Sequence, residues 1–151
     1  MTNRARVILL CVTFLFAGGV LANAFEPIDV FSLEWANDPQ VSPDGKTIAY
    51  TRNGFDLMSD RRTSHIWLIE VDGSNHRPLT DQAGYSPRWS PSGDRIAFLS
   101  GGADNRVQLH MHWITANRTS SLTQLTQSPQ ALTWSPDGRM LAFSMLVPLQ
   151  P

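Results

Sequence analysis

Only one of the 151 residues is a cysteine, Cys11, and it sits inside an apolar run near the N-terminus. Disulfides are therefore excluded as the source of stability. Charge of one sign is missing too, since 12 basic against 13 acidic residues leave a net charge of −1. A chain so balanced has no electrostatic footprint for nucleic acid, and no basic run marks a membrane surface. Beyond the first two dozen residues no window shows a helical period over a useful length. What is present, 42% hydrophobic and 17% charged residues, is the balance of a folded domain.

The N-terminus has the form of a targeting segment. Arg4 and Arg6 precede an apolar run, Val7 to Leu21, and Ala22-Asn23-Ala24 has the small-x-small pattern of a cleavage site. The pattern predicts a signal peptide over 1–24 and an exported protein, periplasmic or secreted, beginning at Phe25. An uncleaved anchor is the competing reading, although the run is short for a span of about 20 residues. Cys11 lies within the run and not at its end, which argues against a lipid-anchored start. No stable membrane span is expected after cleavage.

Three stretches say nearly the same thing: "VSPDGKTIAYT" at 41–51, "WSPSGDRIAFLS" at 89–100 and "WSPDGRMLAFS" at 134–144. Their opening serines, Ser42, Ser90 and Ser135, are 48 and 45 residues apart. That period suits one four-stranded propeller blade of about 40–50 residues. Ser-Pro-Asp-Gly is a tight turn, with proline fixing φ and glycine accepting a positive φ at the exit. The strand after each turn places Ile48 and Tyr50, Ile96 and Phe98, or Leu141 and Phe143 on one face. Ala49, Ala97 or Ala142 falls on the other. Between the copies, "HIWLIEVDGSNHRPLT" (65–80) and "VQLHMHWITANRTSSLTQLT" (107–126) read as strand, turn, strand.

The expected fold is therefore all-β, an incomplete β-propeller of four-stranded antiparallel blades, about two and a half in number. A lead-in covers 25–38 and the partial propeller 39–151, with blades at about 39–80, 87–126 and, incomplete, 131–147. Closed rings take four or more blades, so the chain reads as the start of a larger ring.

In such a meander the turns 42–45, 72–75, 90–93 and 135–138 share one rim. The irregular segments 53–64, 81–86, 101–106 and 127–130 share the other. Varied loops on a rigid scaffold are where binding concentrates. Asp56, Asp60, Arg61, Arg62, Asp104 and Arg106 are the candidate contacts there. His110 and His112 alternate on one strand and so share a face, a spacing that could hold a metal, but no third ligand is evident. No metal or cofactor is expected, and both read as polar residues on an outer strand. His65 and His76 flank turns and read as solvated. Trp67, Trp89, Trp113 and Trp134 recur at strand positions and read as core between blades. Asp44, Asp72 and Asp137 are explained by turn chemistry.

"DPQVSPDGKTIAYTR", "SHIWLIEVDGSNHRPLT" and "SPRWSPSGDRIAFLS" resemble the N-terminal propeller of the prolyl oligopeptidase family of secreted serine peptidases. The likeness is closest to the acylaminoacyl-peptidase and dipeptidyl-peptidase-like bacterial branch and covers roughly residues 27–147. It implies a C-terminal α/β-hydrolase domain as partner, with a Ser-Asp-His triad and its serine on a G-x-S-x-G elbow. It further implies peptide substrates that the propeller gates or selects. Nothing here matches that elbow. Gly84-Tyr85-Ser86-Pro87-Arg88 is nearest but lacks the second glycine, so no catalytic residue is expected in this chain. TolB-type periplasmic binding propellers carry similar Ser-Pro-Asp-Gly repeats and are the alternative.

Overall fold

A computed structural model describes residues 26–101 and 106–147. The expected signal segment, Cys11 within it, and Asp104 lie outside the described residues. A 3-10 helix, Pro27–Ser32, leads into β1 (Trp35–Val41), β2 (Thr47–Asp56), β3 (Arg61–Glu70) and β4 (Arg77–Ala83). Then follow β5 (Tyr85–Trp89), β6 (Arg95–Gly101), β7 (Val107–Trp113) and β8 (Arg118–Ser121), and finally β9 (Gln130–Trp134) and β10 (Leu141–Ser144). The sheets are β1-β2-β3-β4, β5-β6-β7-β8 and β9-β10, antiparallel throughout. These are two four-stranded blades and the first half of a third. Strand β1 starts at Trp35, inside the stretch read as lead-in. Among the described residues no helix is long and apolar enough to cross a membrane.

The repeated turn closes the same way each time. Ser42 Oγ donates to Asp44 Oδ1 at 2.6 Å and accepts from the Thr47 amide at 2.9 Å, while the Gly45 amide donates to the Ser42 carbonyl. Ser135, Asp137, Met140 and Gly138 repeat this network. The second copy has Ser92 where the others have aspartate, and Asp94 supplies the missing carboxylate, accepting from both Ser90 and Ser92. Gly45, Gly93 and Gly138 all carry φ near +70° (74°, 72° and 68°), the conformation that makes glycine necessary there. The turns also nest. A Cβ at Gly93 would lie 3.5 Å from Pro43 Cδ, and one at Gly138 3.4 Å from Pro91 Cδ.

Alternation along the second strand of each blade builds the interfaces. Ala49, Ile66, Leu68 and Leu79 of the first blade share one buried cluster with Ile96 and Phe98 of the second. Ala97, Leu99, Leu109 and Met111 of the second share another with Leu132 of the third, flanked by Trp134, Leu141 and Phe143. The large faces of the second and third blades thus cover the alanine-bearing face of the blade before each. That second face is not small overall, since Ile66 and Leu68 lie on it. Alanine recurs only at its one position in the second strand.

Two of the tryptophans join the blades through their indole nitrogens. Trp89 Nε1 donates to the Gln40 carbonyl at 3.1 Å, and Trp134 Nε1 donates to the Arg88 carbonyl at 3.0 Å. Gln40 and Arg88 occupy the same place in successive repeats, so this is one interaction written twice. Val41 holds the corresponding position in the first blade and has no side-chain N–H to offer. Trp113 packs against the second cluster, whereas Trp67 lies on the open face of the first blade and is not between blades here.

Candidate functional site

The segment 53–64, read from sequence as irregular, is mostly a regular hairpin. Strands β2 and β3 pair continuously from Thr47↔Glu70 to Asp56↔Arg61, leaving only 57–60 as the tip. Asp56 closes that tip, accepting from the Met58 amide at 2.9 Å and the Ser59 hydroxyl at 2.7 Å. Those bonds, Ser59's first, hold its carboxyl below the ordinary aspartate range. Asp60 takes a positive φ of 49°, a conformation Asp tolerates better than most residues. Arg61 and Arg62 are exposed beside it. Four of the candidate rim residues are therefore gathered at one hairpin tip. Arg106 lies just before β7 on the second blade, exposed.

Sequence reading missed an aromatic cluster at the base of this tip. The Phe55 ring meets Trp35 at 5.6 Å and Phe31 at 6.3 Å, and the Arg62 guanidinium stands over Trp35 and Phe55 at 5.7 and 5.9 Å. The three rings come from the 3-10 helix, β1 and β2, so only the sheet register assembles them. A second group covers the open face of the first blade. Tyr50 Oη lies 2.6 Å from His76 Nε2, His76 tilts against Trp67 at 4.7 Å, and Arg52 stands over Trp67 at 4.5 Å while pairing with Glu34. Arg52, Glu34, His65, Trp67 and Asp81 line a cleft of about 440 Å³ there. His76 is thus not simply solvated, and His65 belongs to β3 and not to a turn.

Ser86 has φ +55°, which in isolation resembles the strained serine of a nucleophile elbow. Asp38 and Ala131 have φ +49° and +50° at the same point of their repeats, and the ladder slips at or beside each of the three. The strain is a β-bulge repeated in the first strand of every blade, and its cause is architectural. The bulges place Arg88 to donate to Asp38 Oδ2 at 2.8 Å, joining the first strands of neighbouring blades. The Pro after Asp38 and Ser86 was the available signal, but Ala131 precedes Leu132 and shows that proline is not required.

His110 and His112 share a face of β7, as alternation requires, but they are buried at 6% and 3% exposure and not on an outer surface. His110 stacks on Phe98 with Gln82 Nε2 3.4 Å from its Nδ1, and its Nε2 has no partner. His112 Nδ1 lies 2.9 Å from Thr119 Oγ1, with Arg77 nearby. Among the described residues no three His, Cys, Asp or Glu side chains gather as a metal set. Burial lowers the pKa of both rings, helped at His112 by Arg77. Hydrogen bonds, chiefly from Ser42, Ser92 and Ser135, hold Asp44, Asp94 and Asp137 below 3.8.

All these shifts act in one direction. A histidine with a depressed folded pKa contributes stability that is complete above its free value of 6.5 and lost as pH falls through the folded value. The turn carboxylates do the same below 3.8. The melting temperature should therefore fall in two steps on acidification, the first beginning near pH 6.5. Replacing both histidines, His110→Gln with His112→Gln, should abolish the first step and leave the second. A melting temperature that stays level from about pH 7 to pH 5 would contradict this assignment.

Fold and interfaces define the class: an incomplete β-propeller of four-stranded antiparallel blades, here two and a half of them. No protein-family model matches the chain. Among curated proteins it is similar to an uncharacterized peptidase of Bacillus subtilis, YuxL, at 30% identity over 119 residues, covering 78% of this chain and 18% of that protein. It is also similar to dipeptidyl-peptidase 5 of Trichophyton schoenleinii, at 32% identity over 147 residues, covering 82% of this chain and 20% of the relative. The chain thus spans about a fifth of the length of these relatives. Among solved structures, Pyrococcus horikoshii acylaminoacyl peptidase superposes with a TM-score of 0.63 at 20% identity, over 74% of this chain and 17% of that one. TolB from Acinetobacter baumannii superposes less well, at a TM-score of 0.50 and 17% identity, over 73% and 37%. The sequence likeness is to proteins named peptidases, and the structural likeness shows the propeller fold.

Proposed function

We propose that this chain is the non-catalytic propeller portion of an exported serine peptidase, gating or selecting oligopeptides for a C-terminal α/β-hydrolase domain. The observation that carries the reading is identity of 30–32% with proteins named peptidases, along a chain whose own serine candidate is a structural bulge. Ser86 has neither an elbow nor a base, so hydrolysis belongs to residues beyond this propeller. The propeller's contribution is steric, through its rims and the faces of its blades.

The test has two arms. A fluorophosphonate label should mark the full-length protein and leave residues 25–151 unmarked, and peptide hydrolysis should follow the label. A labelled Ser86, or a full-length protein that takes no label and cleaves no peptide, would overturn the reading. The second result would favour a TolB-type binding propeller. Export is checked separately: protein made in a Gram-negative host should begin at Phe25 by mass spectrometry. A membrane-bound product retaining Met1 would show an anchor instead.

A further inference from the structure

A polar cleft of about 350 Å³ opens between the outermost strands of the first two blades. Arg77 and Asp81 line it from β4, and His112, Asn117 and Thr119 line it from β7, the turn that follows and β8. Both walls belong to described strands, so no further blade is needed to form it. A slip in β4 shapes the first wall. Trp67 pairs with Pro78 and His65 with Ala83, which leaves residues 79–82 opposite Ile66 alone. The Thr80 hydroxyl holds this slack, accepting from the Gln82 amide at 3.1 Å. In the second blade, β7 and β8 pair without a break from His110↔Ser121 to Trp113↔Arg118, so the bulge is no requirement of the repeat. Bulges re-aim side chains, and they concentrate beside functional sites.

The cleft holds charges left unanswered among the described residues. Neither the Arg77 guanidinium nor the Asp81 carboxylate has a hydrogen bond or ion pair there, and the two do not pair with each other. The Asn117 carboxamide is equally unengaged. His112 is only 3% exposed; its Nδ1 lies 2.9 Å from Thr119 Oγ1, and its Nε2 makes no hydrogen bond. Burial first, and the Arg77 charge second, lower its pKa, so the ring is neutral at neutral pH. A neutral ring that accepts the Thr119 hydroxyl at Nδ1 presents an N–H at Nε2.

A guanidinium and a carboxylate kept apart in one cleft suit a ligand that carries both opposite charges. Arg77, with donors from Asn117 and His112, suits a carboxylate, because a guanidinium takes both of its oxygens together. A phosphate dianion suits the cleft less, since Asp81 offsets its one full positive charge. Asp81 suits an ammonium instead. The two residues are four apart on β4, at most roughly 13 Å, a span their side chains fill together with a molecule of one or two residues.

We propose that this cleft binds a small zwitterion, an amino acid or a dipeptide, with its carboxylate on Arg77, His112 and Asn117 and its ammonium on Asp81. The cleft belongs to the two blades, so its occupancy is independent of any peptidase activity.

Hydrogen exchange of the full-length protein, read by mass spectrometry, tests this at the cleft itself. Treatment with the fluorophosphonate beforehand ensures that no reactive serine consumes the probes, glycine and glycylglycine. At millimolar concentration they should slow exchange in residues 77–83 and 112–119, and whichever protects at the lower concentration identifies the ligand. N-acetylglycine, which lacks the ammonium, and glycinamide, which lacks the carboxylate, should protect about tenfold more weakly. Arg77→Gln and Asp81→Asn, both exposed and so compatible with folding, should each raise the concentration for half-protection about tenfold. Inorganic phosphate should change nothing. Absence of protection by both zwitterions would overturn the proposal. So would protection that survives Arg77→Gln and Asp81→Asn undiminished, or N-acetylglycine or phosphate matching the zwitterions.

Discussion

Gly84→Ala should destabilise the protein by about 2–3 kcal/mol, the upper range for overpacking a filled interior. The reason is not backbone conformation, because Gly84 does not have a positive φ. A Cβ there would lie 2.8 Å from Phe98 Cδ2 and 3.0 Å from Cε2, with Ile66 Cδ1 at 3.4 Å. Phe98 is fully buried between the first two blades, and a ring so enclosed has nowhere to retreat. Gly45→Ala is the informative contrast: nothing lies within 4 Å of its Cβ, but φ is +74°, so only the left-handed conformation costs, about 1 kcal/mol. Denaturant unfolding of the full-length protein separates them. Phe98→Leu, which replaces the ring by a shorter aliphatic side chain, should make Gly84→Ala less harmful than it is alone, a coupling that a double-mutant cycle reads directly. An additive cycle would show that Gly84 and Phe98 do not meet as described.

The second large effect concerns autonomy. Residues 25–151 alone should show β-rich circular dichroism, a broad denaturant transition and concentration-dependent association. Lengthening the chain through further blades should sharpen the transition and restore the monomer. Each of the two interfaces here sets the large face of one blade over the alanine-bearing face of the blade before it. Among the described residues, the first blade has Ile48, Tyr50 and Trp67 on a face with no blade over it, and β10 has an unpaired edge in a two-stranded sheet. Val41 stands where Trp89 and Trp134 stand in the other repeats, and it has no indole N–H to offer a neighbour. A monomeric 25–151 that melts in one sharp transition would show that two interfaces suffice.

What is legible in the sequence follows from which contacts are local. Ser-Pro-Asp-Gly dictates its turn through neighbours within five residues, so the roles of Asp44 and Asp137 can be read from their own segments. Ser92 with Asp94 is a local variation on the same network. Alternation with a period of two placed Ile96 and Phe98 on one face and Ala97 on the other, because successive residues of a strand must point apart. Asp56, Asp60, Arg61 and Arg62 lie at the tip of one hairpin, so their proximity is local in sequence.

Tertiary structure alone decided the rest. The three positive-φ bulges at Asp38, Ser86 and Ala131 have no common residue type, and only the slip in the ladder shows that Ser86 is one of a set. His110 and His112 read as polar residues on an outer strand; Phe98, Gln82 and the neighbouring blade bury them. The cluster of Phe31, Trp35 and Phe55 under Arg62 joins three segments through the register of β2. The sequence by itself thus determined turns, strands and faces, which depend on φ preferences and on residues a few positions apart. Which face meets which neighbour, and what is buried as a result, was decided by contacts between blades some 45 residues apart, and those form only when whole sheets stack.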